Sequence, residues 1–158
     1  MARISWDEFF IRIALVASLR STCDRALVGC VITVDNRVLT TGFNGSVKKQ
    51  AHCNEEGHLI VDDHCVRTIH AEANAIIQAA LNGVSIDKST AYITHFPCLN
   101  CSKMLINAGI KRIVFLHAYR VDDIAMQFLS NANVTIDKMT LGNDVLFHLT
   151  KEWKKEND

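Results

Sequence analysis

Two short stretches of the chain carry residues that could hold a metal ion and move protons. The first is His70-Ala71-Glu72, and the second is Pro97-Cys98-Leu99-Asn100-Cys101. A Cys-x-x-Cys pair supplies two thiolates to one tetrahedral zinc ion, and a single histidine as third protein ligand leaves the fourth position open. An open position is typical of a catalytic zinc site rather than a structural one. We therefore predict a catalytic zinc bound by His70 and the two cysteines, with Glu72 as the acid–base group.

Helix geometry limits how His70 and Glu72 can share one cavity. Side chains two positions apart on an α-helix point about 200° away from each other. His70 should therefore lie at the start of a helix rather than inside it. Residues 73–81 have a strongly helical composition and are followed by Asn82-Gly83, a good C-cap pair.

The second stretch also has the features of a helix start. Pro97 suits the entry of a helix, and the dipole of that helix would favour thiolates at Cys98 and Cys101. A lone Cys-x-x-Cys also occurs in redox pairs and structural zinc sites, and a lone His-x-Glu occurs by chance. Together and in this order, the two stretches match H-x-E…P-C-x-x-C, the signature of zinc deaminases that act on nucleobases.

Length and charge restrict the remaining possibilities. At 158 residues and 17.7 kDa, residues 1–158 are expected to form a single domain. Seventeen basic residues balance seventeen acidic ones, so we expect no nucleic-acid partner. We find no apolar run of membrane-spanning length and no signal-peptide segment, so we expect no membrane partner and a cytoplasmic location. The six cysteines then favour metal binding or burial over disulfides.

The rest of the chain alternates helical and strand patterns, which predicts an α/β fold with parallel pairing in its second half. Ser5 can cap a first helix, with Glu8 three residues later. Its apolar face is predicted to contain Phe9, Ile13, Val16 and Ala17. Residues 46–69 form a long polar connection without clear periodicity, a type of loop that is usually functional or tied down. The other predicted elements are a hairpin of strands 27–33 and 38–41, helices 70–81, 98–107 and 124–129, strands 90–94, 112–116 and 134–136, and a C-terminal helix 141–153.

Beyond the zinc motif, the chain resembles the cytidine and deoxycytidylate deaminase superfamily. The resemblance is strongest to the deoxycytidylate deaminases, including the bacterial late-competence branch, and covers about residues 5–136. It implies a three-layer, cytidine-deaminase-like fold: a five-stranded mixed sheet flanked by helices, with zinc between two helix N-termini. The core would span about residues 5–138, followed by a C-terminal extension, 139–158. The segments that carry the resemblance are Gly42-Phe43-Asn44-Gly45, His52-Cys53, Glu56-Gly57, residues 64–72, residues 94–98 and Ala108-Gly109-Ile110-Lys111.

The resemblance implies zinc-dependent hydrolysis of dCMP to dUMP and ammonia in pyrimidine deoxynucleotide metabolism. Glu72 would move protons from water to N3 of cytosine and then to the departing amino group. A first rival is another deaminase of the same chemistry, acting on free cytidine, a guanine-type base or adenosine in transfer RNA. A second rival is a non-catalytic zinc protein used in competence or assembly, which an intact Glu72 argues against.

The resemblance also implies substrate contacts. Asn44 is the candidate for the sugar, because an amide both donates to and accepts from ribose oxygens, although Asn before Gly is also typical of a turn. His95 and Phe96 would line the base pocket, and Phe96 equally suits the core. Tyr119 and Arg120 follow a strand where relatives contact phosphate, although an exposed Arg is more often only solvated. The expected contacts are Asn44, Ala71, His95, Phe96, Tyr119 and Arg120.

A second zinc site is predicted in or beside the long connection, which carries Cys23, Cys53, His58, His64 and Cys65. Four Cys or His ligands make a closed, structural site that would order the connection. Some deoxycytidylate deaminases carry such a site, with ligands corresponding to Cys23, Cys53 and His64. We choose His58 over Cys65 as the fourth ligand, because neighbouring residues rarely point at one ion. The alternative is that these are buried free cysteines and surface histidines.

The assembly state is also an expectation from the resemblance. Relatives form compact oligomers, often hexamers, and an apolar helix face that needs covering agrees with this. We therefore expect a homo-oligomer, specifically a homohexamer.

Overall fold

The structure is a computed structural model that describes residues 3–118 and 122–142. None of its helices is long and apolar enough to cross a membrane, within those residues. The elements in chain order are α1 (Trp6–Ser18), β1 (Gly29–Val34), β2 (Arg37–Phe43), β3 (Gly45–Ser46), α2 (Cys53–Glu56), β4 (Ile60–Val61), β5 (His64–Cys65), β6 (Thr68–Ile69), α3 (Ala71–Leu81), β7 (Thr90–His95), α4 (Leu99–Asn107), β8 (Arg112–His117), α5 (Asp123–Asn131) and β9 (Thr135–Lys138).

Segments rich in Val, Ile and Thr pair into a five-stranded sheet with the order β2-β1-β7-β8-β9. The first two strands form the predicted hairpin. Its turn residues Asp35 and Asn36 have φ of 46° and 58°, the left-handed values that a two-residue type I′ turn requires. β1 pairs antiparallel with β7, whereas β7, β8 and β9 run parallel to one another. The predicted α/β class with a mixed sheet is therefore confirmed.

Helices cover both faces of the sheet, which gives the three predicted layers. The larger core cluster contains buried residues from the sheet and from α3, α4 and α5, among them Ala75, Leu105 and Leu129. A smaller cluster buries α1 against the opposite face through Phe10 and Ile11. The sheet is therefore packed against helices on both faces.

The predicted apolar face of α1 is only partly correct, with Ile13 packed against the smaller core cluster. Ser5 caps the helix as expected, since its side chain accepts from the Glu8 N–H. The residues buried against the sheet, however, are Phe10, Ile11 and Ala14, while Phe9 and Val16 are exposed. Apolar residues occur on both sides of this helix, so periodicity alone did not identify the side that meets the sheet.

The long connection is more ordered than its sequence indicates. It contains the short helix α2 and the hairpin formed by β4 and β5. The strands that begin and end it, β3 and β6, pair with each other and bring its two ends together. The proposed C-terminal helix, 141–153, lies outside the described residues from position 143 onward.

Candidate active site and metal centres

The two motif stretches meet because each begins a helix. His70 is the N-cap of α3, with extended backbone angles of −68° and 154°, and Cys98 is the N-cap of α4, with −66° and 167°. The predicted helix starts are therefore confirmed. Since His70 is not itself helical, its side chain and that of Glu72 can turn toward the same space.

The atoms of His70, Cys98 and Cys101 have the spacing that a zinc ion needs. His70 Nδ1 lies 3.5 Å from Cys98 Sγ and 3.5 Å from Cys101 Sγ. Bond lengths of about 2.3 Å to sulfur and about 2.0 Å to nitrogen, at tetrahedral angles, place these atoms about 3.5 Å apart. All three ligand atoms lie within 4.8 Å of one another. The donor set and its geometry thus fit a zinc ion with one open position.

The two thiols share protons unequally. Contact with the Cys101 thiol lowers the pKa of Cys98 to about 4, and the same contact raises the pKa of Cys101. The Cys98 thiolate in turn raises the pKa of His70. These shifts favour a thiolate at Cys98, and zinc binding would displace the remaining thiol proton.

Glu72 is the buried carboxyl of the site, with 3% of its surface exposed. Burial is the largest effect on its pKa and raises it above the usual value for glutamate, although nearby His70 and Cys101 act in the opposite direction. A carboxyl with a raised pKa is well suited to accept and return a proton near neutral pH. A proton-transfer role requires that the carboxyl reach a substrate, and Glu72 lines a cavity that is described below.

A glycine allows α3 to come close enough to the sheet. A Cβ on Gly42 would lie 2.2 Å from Ala71 O and 2.5 Å from Ala75 N, so no side chain fits at this position. Two hydrogen bonds fix the same contact: Thr40 Oγ1 donates to Ala75 O at 3.0 Å, and Asn74 Nδ2 donates to Phe43 O at 3.0 Å. The position of the His70 N-cap therefore depends on β2.

A cavity of about 310 Å³ adjoins the residues that would hold the zinc ion. The predicted residues His70, Glu72 and Cys98 all line it. Its wall also includes residues of the long connection, so that segment forms part of the site. The lining residues are Cys23, Arg25, Ala26, Val28, Asn44, Asp63, His64, Cys65, Thr68, His70, Ala71, Glu72, His95, Phe96 and Cys98.

Asn44 lies on the cavity, but its amide is partly occupied. Its Oδ1 accepts from the Val28 N–H at 2.8 Å, and its Nδ2 donates to Ala26 O at 2.8 Å. The side chain therefore braces the segment before β1. An amide has two donor hydrogens and two acceptor lone pairs, so one of each is left for a ligand.

The other predicted substrate contacts divide into two groups. Ala71, His95 and Phe96 line the cavity. Phe96 is also a core residue, because its ring packs edge-on against Phe115 with centroids 5.2 Å apart. Residues 119 and 120, the predicted phosphate contacts Tyr119 and Arg120, lie outside the described part of the chain.

A second cluster of possible metal ligands contains Cys23, Cys53, His58 and Cys65. The predicted ligand His64 is not among them, although it lines the cavity together with Cys23 and Cys65. His64 and Cys65 are consecutive on β5, and neighbouring strand residues point to opposite faces. The cluster contains the predicted Cys23, Cys53 and His58, and Cys65 takes the place that the prediction gave to His64.

The distances in this second cluster also fit zinc. Cys53 Sγ and Cys65 Sγ are 3.6 Å apart, and Cys23 Sγ is 3.7 Å from His58 Nδ1. Tetrahedral zinc places two sulfurs about 3.8 Å apart and a sulfur and nitrogen about 3.5 Å apart. The other ring nitrogen of His58, Nε2, lies 3.1 Å from Asp24 Oδ1. A carboxylate behind a histidine is the usual way to orient a metal-binding imidazole.

Sequence reasoning missed Arg25 and considered Cys65 without choosing it. Arg25 brings a cation to the cavity wall, where its Nη2 donates to Asp63 O at 3.0 Å. Cys65 enters the second cluster through the pairing of Ile60 with Cys65 in the small hairpin. A single Arg before a strand gives no sequence signal, and a two-residue strand is too short for a periodicity.

Comparison with known proteins agrees with this geometry. Residues 4–117 match the family model of the cytidine and deoxycytidylate deaminase zinc-binding region. The chain belongs to this family. Over 141 residues, it is 43% identical to ComE operon protein 2 of Bacillus subtilis, covering 89% of the chain and 75% of that protein. It is 34% identical to the deoxycytidylate deaminase of Saccharomyces cerevisiae over 86% of the chain, which spans only 45% of the yeast enzyme.

A solved member of the family shows the same fold. The dCMP deaminase from the cyanophage S-TIM5, in complex with dCMP and dUMP, superimposes with a TM-score of 0.76 at 30% identity. The match covers 88% of this chain and 100% of the cyanophage chain. This likeness confirms the predicted cytidine-deaminase-like fold.

Proposed function

We propose that this protein hydrolyses dCMP to dUMP and ammonia with a bound zinc ion, in pyrimidine deoxynucleotide metabolism. The observation that carries the proposal is the position of Glu72, a buried carboxyl on the same cavity as a three-ligand metal site. A structural zinc site would have a fourth protein ligand and no need of a buried acid. The non-catalytic alternative leaves this carboxyl unexplained.

The reaction needs a base, an acid and a nucleophile. Bound zinc would lower the pKa of water and so supply hydroxide near neutral pH. Glu72 accepts the proton from the attacking water, transfers it to N3 of cytosine and then protonates the amino group that leaves C4. Since Glu72 lies in the first turn of α3 and interacts with His70 and both thiols, this one carboxyl would serve all three proton transfers. Water provides the new C4 oxygen, and the products are dUMP and ammonia.

Two lines of support favour a nucleotide over a free base. The yeast relative is named deoxycytidylate deaminase, and the cyanophage enzyme was solved with dCMP and dUMP. Arg25 on the cavity wall offers a cation to a phosphate. In this proposal Asn44 holds the sugar, and Tyr119 and Arg120 contact the phosphate.

A spectrophotometric assay across cytidine, CMP, dCMP, dCTP and guanine tests the proposal. We expect the highest kcat/KM on dCMP. Preference for another substrate in the panel would assign a different deaminase activity. No turnover of any of them by zinc-loaded protein would contradict the proposal and support an assembly protein.

We also propose that the protein binds a second, structural zinc through Cys23, Cys53, His58 and Cys65. The spacing of the sulfur and nitrogen atoms and the Asp24 carboxylate behind His58 support this site. It would tie the long connection to the segment before β1 and so hold one wall of the cavity. The ligand set replaces His64 of the sequence prediction with Cys65.

We further propose a cytoplasmic homohexamer. Support for association comes from exposed apolar side chains on α1 and at its C-cap: Trp6, Phe9, Val16 and Leu19 each have more than 40% of their surface exposed. Light scattering that gives six times the chain mass of 17.7 kDa would support the hexamer. A monomer mass would contradict it.

A further inference from the structure

His95 lies at the end of a sheet strand and lines the cavity, yet the proposed reaction steps do not involve it. It ends β7 on the cavity wall and pairs in register with His117, which ends the parallel strand β8. Their ring centroids are 5.1 Å apart, and the Phe96 N–H donates to His117 O at 2.9 Å. In open α/β sheets, ligands bind beyond the carboxyl ends of parallel strands.

The hydrogen bonds of Thr94 determine which nitrogen of His95 carries the proton. Thr94 is 1% exposed, and its Oγ1 accepts from the Gly29 N–H at 3.1 Å. The same Oγ1 lies 2.9 Å from His95 Nδ1. A buried hydroxyl needs an acceptor for its hydrogen, and within residues 3–118 and 122–142 the structure gives it only His95 Nδ1. Nδ1 therefore accepts, and the ring of neutral His95 is protonated at Nε2.

The surroundings of the His95 ring favour its neutral form. Burial lowers the pKa of His95, and the neighbouring His117 lowers it further. A neutral imidazole in this tautomer is a hydrogen-bond donor at Nε2 alone. The titratable and charged groups that line the same cavity are Arg25, Asp63, His64, His70, Glu72, Cys98, Cys23 and Cys65.

The orientation of a nucleotide in the cavity decides what His95 can contact. Its base must reach Glu72, which is 3% exposed, so its phosphate must lie toward the open side. Arg25 on the cavity wall is exposed, and so is His117, whose ring centroid lies 5.1 Å from that of His95. His95 is half-buried whereas Glu72 is buried, so His95 lies nearer to solvent than the carboxyl that the base must reach, which favours a contact to the phosphate over one to the base.

We propose that His95 is a specificity-determining residue whose Nε2–H donates to a phosphate oxygen of a nucleoside monophosphate. Thr94 is then a positioning residue, because it fixes the donor tautomer without touching the substrate. This inference rests on the proposed function and deepens it. It moves His95 from the base pocket, where the sequence placed it, to the recognition of the phosphate.

Binding measurements on zinc-loaded protein in a Glu72→Gln background, which prevents turnover, test the proposal. We expect His95→Leu to weaken dCMP binding about ten- to hundredfold, as for a lost hydrogen bond to a charged group, and to change deoxycytidine binding less than about threefold. His95→Gln retains a neutral donor and should restore most of the affinity for dCMP. Equal losses for both ligands, or no loss for dCMP, would overturn the role in phosphate recognition.

Thr94 provides the matched control for the tautomer. Thr94→Val should weaken dCMP binding when His95 is present but not in the His95→Gln background, whereas Thr94→Ser should bind as the parent does. Nitrogen-15 NMR of the imidazole should show His95 protonated at Nε2, a readout that does not depend on activity. Protonation at Nδ1 would overturn the proposal. Failure of the parent protein to bind dCMP at all would instead reject the proposed function.

Discussion

Glu72 is buried and lines the cavity. Its role can be tested by a substitution that disturbs the fold little. Glu72→Gln removes the acid–base group but preserves its size, so we expect kcat on dCMP to fall about a hundredfold or more. Zinc content and thermal stability should stay close to those of the parent protein. Metal analysis and circular dichroism provide these controls, and near-normal turnover by the Gln variant would reject Glu72 as the proton carrier.

The adjacent residues His64 and Cys65 separate two versions of the second zinc site. Because Cys65 Sγ lies 3.6 Å from Cys53 Sγ, Cys65→Ser should reduce the zinc content from two ions per chain to one. His64→Ala, one residue away on the opposite face of the short strand, should retain both ions. Metal analysis of the purified variants decides between them, and one zinc in the wild type would remove the second site altogether.

At the scale of elements, the contact between β2 and α3 holds the catalytic helix start in place. Gly42→Ala would force a Cβ into Ala71 O and Ala75 N. We expect a loss of about 1–3 kcal/mol in the free energy of unfolding, as for other overpacked contacts, together with reduced zinc retention and activity. Denaturant unfolding and metal analysis measure both effects.

Gly142→Ala is the control for this prediction, because a Cβ there would meet no described atom within 4 Å. It should leave stability and zinc content unchanged. If Gly42→Ala behaved in the same way, the close approach of the two elements would not be what positions His70.

The parts of the structure that were predictable from sequence depend on local patterns. The starts of α3 and α4 follow from residue spacing and capping, and the hairpin turn follows from Asp35 and Asn36. The buried side of α1 and the choice between His64 and Cys65 depend instead on which distant segments meet. In α1 both sides are apolar, and in β5 the orientation is set by pairing with β4. Neither contact leaves a periodic signal in the sequence.

At the scale of the whole molecule, one polar cluster joins the first helix to the sheet. Arg112 Nη1 and Nη2 donate to the two carboxylate oxygens of Asp7 at 2.7 and 2.8 Å, and Tyr92 Oη donates to Asp7 Oδ1 at 2.7 Å. Arg112 Nε also donates to Asp137 Oδ2 at 2.7 Å. Residues far apart in sequence thereby connect α1 with β7, β8 and β9, on the side of the sheet opposite α3.

Removing the charge of Asp7 should reveal its contribution to stability. Hydrogen bonding to Arg112 is the largest effect on the pKa of Asp7 and lowers it below the usual 3.8. Its stabilisation is therefore complete above the unfolded pKa and is lost as the pH falls through the lower folded value. At pH 7, Asp7→Asn should cost about 1 kcal/mol, since both side chains of the ion pair remain about a third exposed to water.

The pH dependence makes this last prediction specific. The difference in unfolding free energy between wild type and Asp7→Asn should be constant from about pH 5 to 7 and should narrow as the pH falls below the unfolded value of 3.8. Asp137→Asn removes a partner that makes a single contact with Arg112, so it should cost less at neutral pH. Urea unfolding of the three proteins across this range measures the effect. A difference that stayed the same down to the lowest pH at which the chain folds would show that Asp7 acts through packing and not through its charge.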